Sequence, residues 1–268
     1  MNICPAVSIN DILRFSSRLS ARKLLNAIRV LGSFYLSRIL GRPLQSGMPF
    51  TISVEPTTSC NLGCPECPSG LRSFSRPTGK LDPTLYQKLL NESAPDLLYL
   101  YFYFQGEPYL HPGFTELVRQ AHEKNIYTVT STNGHYLNER RAEETVRSGL
   151  DRIIISIDGS TQEVYEQYRR GGELAKVIEG TKNLLSARRR LGAKNPHIIL
   201  QFLVVKPNEH QVPEIFRLGK ELGVDEVKLK TAQVYDYENG NPLIPDNPAY
   251  TRYRKKQNGS PPFGQRLP

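Results

Sequence analysis

The sequence predicts an α/β fold, a partial (β/α)6 TIM-like barrel that does not close. Short apolar runs alternate with helical stretches between residues 50 and 231, the pattern of βαβ units around a parallel sheet. The repeat takes about 180 residues, short of the roughly 250 of an eight-unit barrel, so six units and an open edge are expected. The run Ile153-Ile154-Ile155 has the unbroken apolar character of a strand covered on both faces.

The expected strands are 51–55, 97–104, 126–131, 152–157, 197–205 and 226–230, and the expected helices 83–93, 113–124, 138–148, 161–168, 174–191 and 211–222. Asp82 followed by Pro83 reads as an N-cap with proline in the first turn. Ahead of the barrel, residues 12–41 predict an amphipathic helix: Leu24, Ile28, Leu31, Tyr35 and Ile39 form one stripe, and Arg22, Asn26, Arg29, Ser33 and Ser37 fall mostly opposite. Gly41-Arg42-Pro43 ends it. A basic amphipathic helix suits either a membrane surface or packing on the next domain. Packing is the expectation, with peripheral membrane contact the alternative. Residues 239–268, rich in Asn, Gly and Pro, predict loop. The division is 1–49 as a basic helical segment, 50–235 as the barrel and 236–268 as an irregular tail.

The formal charge of +9 is uneven. Residues 1–49 contribute +6, residues 249–268 contribute +5, and the middle sums to −2. Basic ends can meet phosphate or an anionic surface, but solvated ends are the plainer reading. The middle lacks the aromatic-basic interleaving that stacks bases, so no nucleic-acid partner is expected. No signal peptide or long apolar run is evident, and a cytoplasmic location is expected.

Cysteines carry the chemistry. Cys4 stands alone and reads as an incidental thiol, whereas Cys60, Cys64 and Cys67 lie within eight residues. A tight triplet suggests a metal site rather than disulfides. Thiolates are the usual iron–sulfur ligands, and three from one loop can hold three corners of a cubic cluster while one iron stays open. A structural zinc site would want a fourth ligand, and His111, His122, His135, His197 and His210 are scattered, none within forty residues of the triplet.

CxxxCxxC after a first barrel strand resembles the signature of the radical S-adenosylmethionine (SAM) superfamily, and the following strand ends extend the likeness. Strand two runs into Gly106-Glu107-Pro108, strand three into Ser131-Thr132-Asn133-Gly134, and strand four into Ser156-Ile157-Asp158-Gly159. Each string alone is ordinary turn chemistry; four in order, all where barrel function collects, are not. The resemblance covers residues 50–235 and is nearest to the subgroup with a SPASM-type C-terminal extension. It implies a radical SAM-type barrel holding a [4Fe-4S] cluster on Cys60, Cys64 and Cys67. It also implies SAM bound by Gly106, Glu107, Pro108, Thr132, Asn133, Ser156, Asp158 and Arg169, the last pairing with the SAM carboxylate, with Arg170 as the competing choice. A donor such as flavodoxin or ferredoxin would supply one electron, SAM would break to methionine and a 5′-deoxyadenosyl radical, and that radical would take hydrogen from a peptide or small molecule. Two departures stand out. Glu66 occupies the place before the third cysteine where the family often has an aromatic ring near the adenine, and no cysteine follows Cys67 to hold auxiliary clusters. The alternatives are a cluster-binding fragment without turnover and a non-enzymatic zinc module.

Overall fold

The computed structural model describes residues 9–255 and 263–265. Six strands form one parallel sheet in sequential order: β1 (Thr51–Ser53), β2 (Tyr99–Tyr101), β3 (Tyr127–Thr132), β4 (Arg152–Ser156), β5 (His197–Val204) and β6 (Glu226–Thr231). Each pairs in parallel with the next, from Thr51 opposite Tyr99 to Val204 opposite Thr231. Among the described residues β1 and β6 are not paired with each other, so the barrel stays open as expected.

Alternation along each strand decides what lies inside. Leu100 and Phe102, Ile153 and Ile155, and Leu200 and Phe202 point to one side and join the main apolar core. There they meet helices α4 (Pro83–Ser93), α5 (Phe114–Glu123), α6 (Glu139–Arg147), α8 (Leu174–Arg190) and α9 (Val212–Leu222). Asp82 caps α4 by accepting from the Leu85 amide at 2.8 Å. The opposite face is far more polar. Tyr127, Tyr99, Tyr101 and Tyr103 form a column there with successive ring centroids 5.0, 4.5 and 5.5 Å apart. Ile154 also departs from the two-face burial expected of its run, because it lines the cavity at the strand ends.

The N-terminal segment corrects the sequence reading twice. It is two helices, α1 (Ile9–Ser17) and α2 (Ala21–Leu40), broken where Ser20 turns to cap α2. The face that packs is also the polar one. Lys23 and Asn26 are buried, while Leu24, Ile28, Leu31, Tyr35 and Ile39 are exposed. Lys23 Nζ donates to the Asn125 carbonyl at 2.6 Å, and Arg22 grips Asp96 with two bonds of 3.0 and 2.8 Å. Arg18 pairs with Asp151 at 3.0 Å, and buried Asp11 accepts from both Tyr127 and Arg152. All these partners lie at strand starts, the end of the barrel away from the cysteines.

Asn26 is the pivot of this contact. Its amide donates to the Met48 carbonyl at 2.8 Å and the Asp96 carbonyl at 3.3 Å, and its oxygen accepts from the Met48 amide at 2.8 Å. Asn26→Ala strands these backbone groups, so we expect a loss of about 1–3 kcal/mol in denaturant unfolding. An unchanged midpoint would show that α2 is held elsewhere.

The C-terminal part is irregular in backbone from 236 to 252, yet its side chains pack. Val234, Ile244 and Tyr253 form a small core, and Tyr237 stacks on Tyr253 at 4.8 Å. Glu209 accepts from the amides of Asp246 and Asn247 at 3.2 and 3.0 Å. Strand β7 (Tyr253–Lys255) pairs antiparallel with β8 (Phe263–Gln265). Aromatic stacking and side-chain-to-backbone bonds hold this segment, and neither leaves a hydrophobic period to read. Cys4 lies outside the described residues.

Candidate active site

The cysteine loop leaves β1 and crosses the mouth of the barrel, where the strand ends enclose a cavity of about 280 Å³. Cys60, Cys64 and Cys67 all line it, with Gly106, Glu107, Thr132, Asn133, Ser156 and Arg169 among the other walls. The topology accounts for the convergence: parallel strands deliver every C-terminal end to one rim.

Backbone contacts shape the loop. A short helix, α3 (Pro68–Leu71), begins at the third cysteine. The Gly63 amide donates to the Arg170 carbonyl at 3.0 Å, tying the loop to the segment after helix α7 (Gln162–Tyr168). A side chain on Gly70 would come within 2.5 Å of the Cys64 amide nitrogen, so only glycine lets α3 fold under Cys64. Gly106 has φ of 80°, and a Cβ there would sit 2.0 Å from the Thr57 carbonyl oxygen, which reserves the position for glycine.

Glu107 is buried and holds two strand ends together. Its carboxylate accepts from the Thr132 hydroxyl at 2.7 Å, the Asn133 amide at 2.8 Å and the Tyr109 amide at 3.2 Å. Burial pushes its carboxyl group up, and these bonds pull it back. Asn133 in turn donates to Asn61 Oδ1 at 2.8 Å, linking the third strand end to the cysteine loop. Pro108 opens a turn of 3-10 helix and does not line the cavity.

Arg169 reaches the cavity, whereas Arg170 is exposed and turns only its backbone to the loop. The Arg169 guanidinium pairs with Asp158 and lies 3.8 Å from Cys64 Sγ. Asp158, expected among the SAM-binding residues, sits fully buried behind Arg169, where it also accepts from the Leu203 amide at 2.7 Å. The sequence reading missed Gln105, whose Oε1 is 3.5 Å from Cys67 Sγ and 3.1 Å from the Ser69 hydroxyl. It also missed Tyr103, Gln201 and Lys230 on the cavity wall. Tyr103, Gln201 and Lys230 are inward positions of β-alternation near strand ends, a signal the sequence did contain.

Glu66 does not face an aromatic role. Its carboxylate accepts from the Tyr235 amide at 3.0 Å and the Asn241 side chain at 3.3 Å, so it clasps the segment after β6 to the cysteine loop. Glu66→Ala should speed amide exchange at Tyr235 about tenfold, the low end for a charge-assisted bond. Unchanged exchange would show that this clasp does not hold the segment.

The donor set suits an iron–sulfur cluster. Burial pushes the Cys60 thiol up to about 11, with the charges of Glu107 and the other two cysteines adding to it. Burial also raises Cys64, against the pull of Arg169. Thiolates gathered this way need a bound cation to offset their charge. Among the described residues no three His, Cys, Asp or Glu side chains converge on a single ion.

Residues 54–219 match the Radical SAM superfamily, and the chain belongs to it. The cofactors of this enzyme family are a [4Fe-4S] cluster and SAM. Among its relatives is the PqqA peptide cyclase of Gluconobacter oxydans, 32% identical over 201 residues, covering 74% of this chain and 54% of that protein. The tungsten-containing aldehyde ferredoxin oxidoreductase cofactor-modifying protein of Pyrococcus furiosus is 31% identical over 198 residues, covering 72% of this chain and 54% of that protein. The chain thus spans about half the length of the curated relatives it matches. Among solved structures, Streptococcus suis SuiB bound to S-adenosylmethionine superimposes with a TM-score of 0.60 at 18% identity, over 80% of this chain and 47% of that one. That likeness establishes the fold.

Proposed function

We propose that the chain generates a 5′-deoxyadenosyl radical from SAM and uses it to abstract hydrogen from a peptide. The observation that carries this reading is the meeting of three buried or half-buried thiols and three polar strand ends around one cavity. The cluster, when bound, supplies the electron that cleaves SAM.

The chain's own residues bind and orient. Cys60, Cys64 and Cys67 hold the cluster. Gly106 presents bare backbone to the SAM amino group, and Glu107 sets the Thr132 and Asn133 strand end beside it. Ser156 faces the cavity from β4. Arg169 offers its guanidinium to the SAM carboxylate, and buried Asp158 holds that guanidinium in place. Pro108 fixes the turn behind Gly106 and Glu107. Tyr103, Phe104, Gln201 and Lys230 complete the wall left for substrate.

A peptide substrate is favoured because the Gluconobacter relative is named as a peptide cyclase. A reduced flavodoxin or ferredoxin is the donor class that fits a one-electron step. The test is anaerobic reconstitution followed by SAM and a strong reductant. 5′-Deoxyadenosine and methionine should form in equal amounts, and a reconstituted protein that binds SAM without releasing either would overturn the proposal.

A further inference from the structure

The outward face of α2 has no partner within the described residues. At 100° per residue, Leu24, Leu25, Ile28, Leu31, Tyr35, Leu36 and Ile39 share the arc opposite buried Lys23 and Asn26. These seven side chains are 48–78% exposed. The arrangement is not an accident of a loose helix, because polar bonds from Arg22, Lys23 and Asn26 fix which side faces in.

Charge identifies what the face meets. No acidic residue occurs from residue 12 to residue 54, a stretch with seven Lys and Arg. Arg18 and Arg22 are committed to Asp151 and Asp96, and Lys23 to the Asn125 carbonyl. Arg29 and Arg38 border the apolar arc on its two sides, Arg42 follows the helix, and none of the three takes part in an ion pair among the described residues. Tyr35, within the arc and 58% exposed, adds an aromatic ring with a polar tip, suited to a headgroup boundary. A second copy would set arginine margins against arginine margins on a chain of net charge +9, an arrangement that repels. No helix among the described residues is long and apolar enough to cross a membrane, so α2 would lie in the interface plane.

We propose that α2 seats this protein on an anionic lipid surface, its apolar face among the upper acyl chains and Arg29, Arg38 and Arg42 at the phosphates. The contacts of α2 lie at strand starts, so the cysteine-lined mouth at the strand ends is directed away from the lipid. This inference is independent of the chemistry at that mouth.

The test is flotation of the intact protein with vesicles of phosphatidylcholine alone or mixed with phosphatidylglycerol. Binding should be at least about tenfold stronger to the mixed vesicles and should fall as salt rises. Ile28→Ser/Ile39→Ser should abolish it with circular dichroism and melting temperature unchanged, because both side chains are exposed. Arg29→Gln/Arg38→Gln should remove the preference for anionic lipid. The proposal is overturned if wild type ignores anionic vesicles or the serine variant floats equally. It is likewise overturned if sedimentation shows a dimer that the serine substitutions dissociate, or if α2 is shielded from hydrogen exchange in the protein without lipid.

Discussion

Cys64→Ala is expected to lower iron from about four per reconstituted chain to near zero, with loss of the brown charge-transfer absorption. Cys64 is the most buried of the three cysteines and faces the Arg169 guanidinium. Its removal leaves two ligands on one loop, too few to hold a cubane against solvent. The metal-free variant should keep its circular dichroism, since the six-stranded sheet and its apolar core do not run through the cysteine loop. Retention of iron near the wild-type level would place the cluster elsewhere and remove the basis of the proposed chemistry.

The second large effect concerns Arg169 and Asp158. Asp158 is fully buried, and the Arg169 guanidinium is its ion-pair partner among the described residues. Arg169→Met strands that carboxylate, so the fold should lose about 3–5 kcal/mol. Asp158→Asn combined with Arg169→Met removes both charges while the asparagine oxygen still accepts from the Leu203 amide. Most of the stability should return, because a buried pair replaced as a whole often costs little. SAM affinity should not return with it, since no guanidinium faces the cavity. Stability and binding would recover together in the double variant only if Arg169 served packing alone. Calorimetric unfolding and equilibrium dialysis with SAM distinguish the two.

Much of the architecture was legible because βαβ repetition writes itself as alternation of short apolar runs and longer amphipathic ones. The site was legible for a related reason: polar strings such as Gly106-Glu107-Pro108 and Ser131-Thr132-Asn133 interrupt apolar runs where strands stop. What could not be read depends on distant partners. The inward side of α2 was misjudged because hydrophobicity pointed one way, while the binding contacts came from Lys23 and Asn26 to Asn125 and Met48. Glu66 was noticed as a departure, but its clasp on Tyr235 and Asn241 spans about 170 residues. Asp158 reads as a ligand residue because Ser156-Ile157-Asp158-Gly159 resembles the family's motif, yet the structure turns it inward behind Arg169. The packing of the C-terminal loop leaves no trace in the sequence, because Tyr237 on Tyr253 is a single stacking event with no period.

The helices ahead of the barrel make ancestry and foldability follow different borders. The family match starts at residue 54, yet Asp11, Arg18 and Arg22 neutralise Arg152, Asp151 and Asp96 inside or just before matched strands. A recombinant piece trimmed to the matched residues would expose three orphaned charges on the barrel floor. Its insolubility would then reflect where it was cut, not any weakness of the domain.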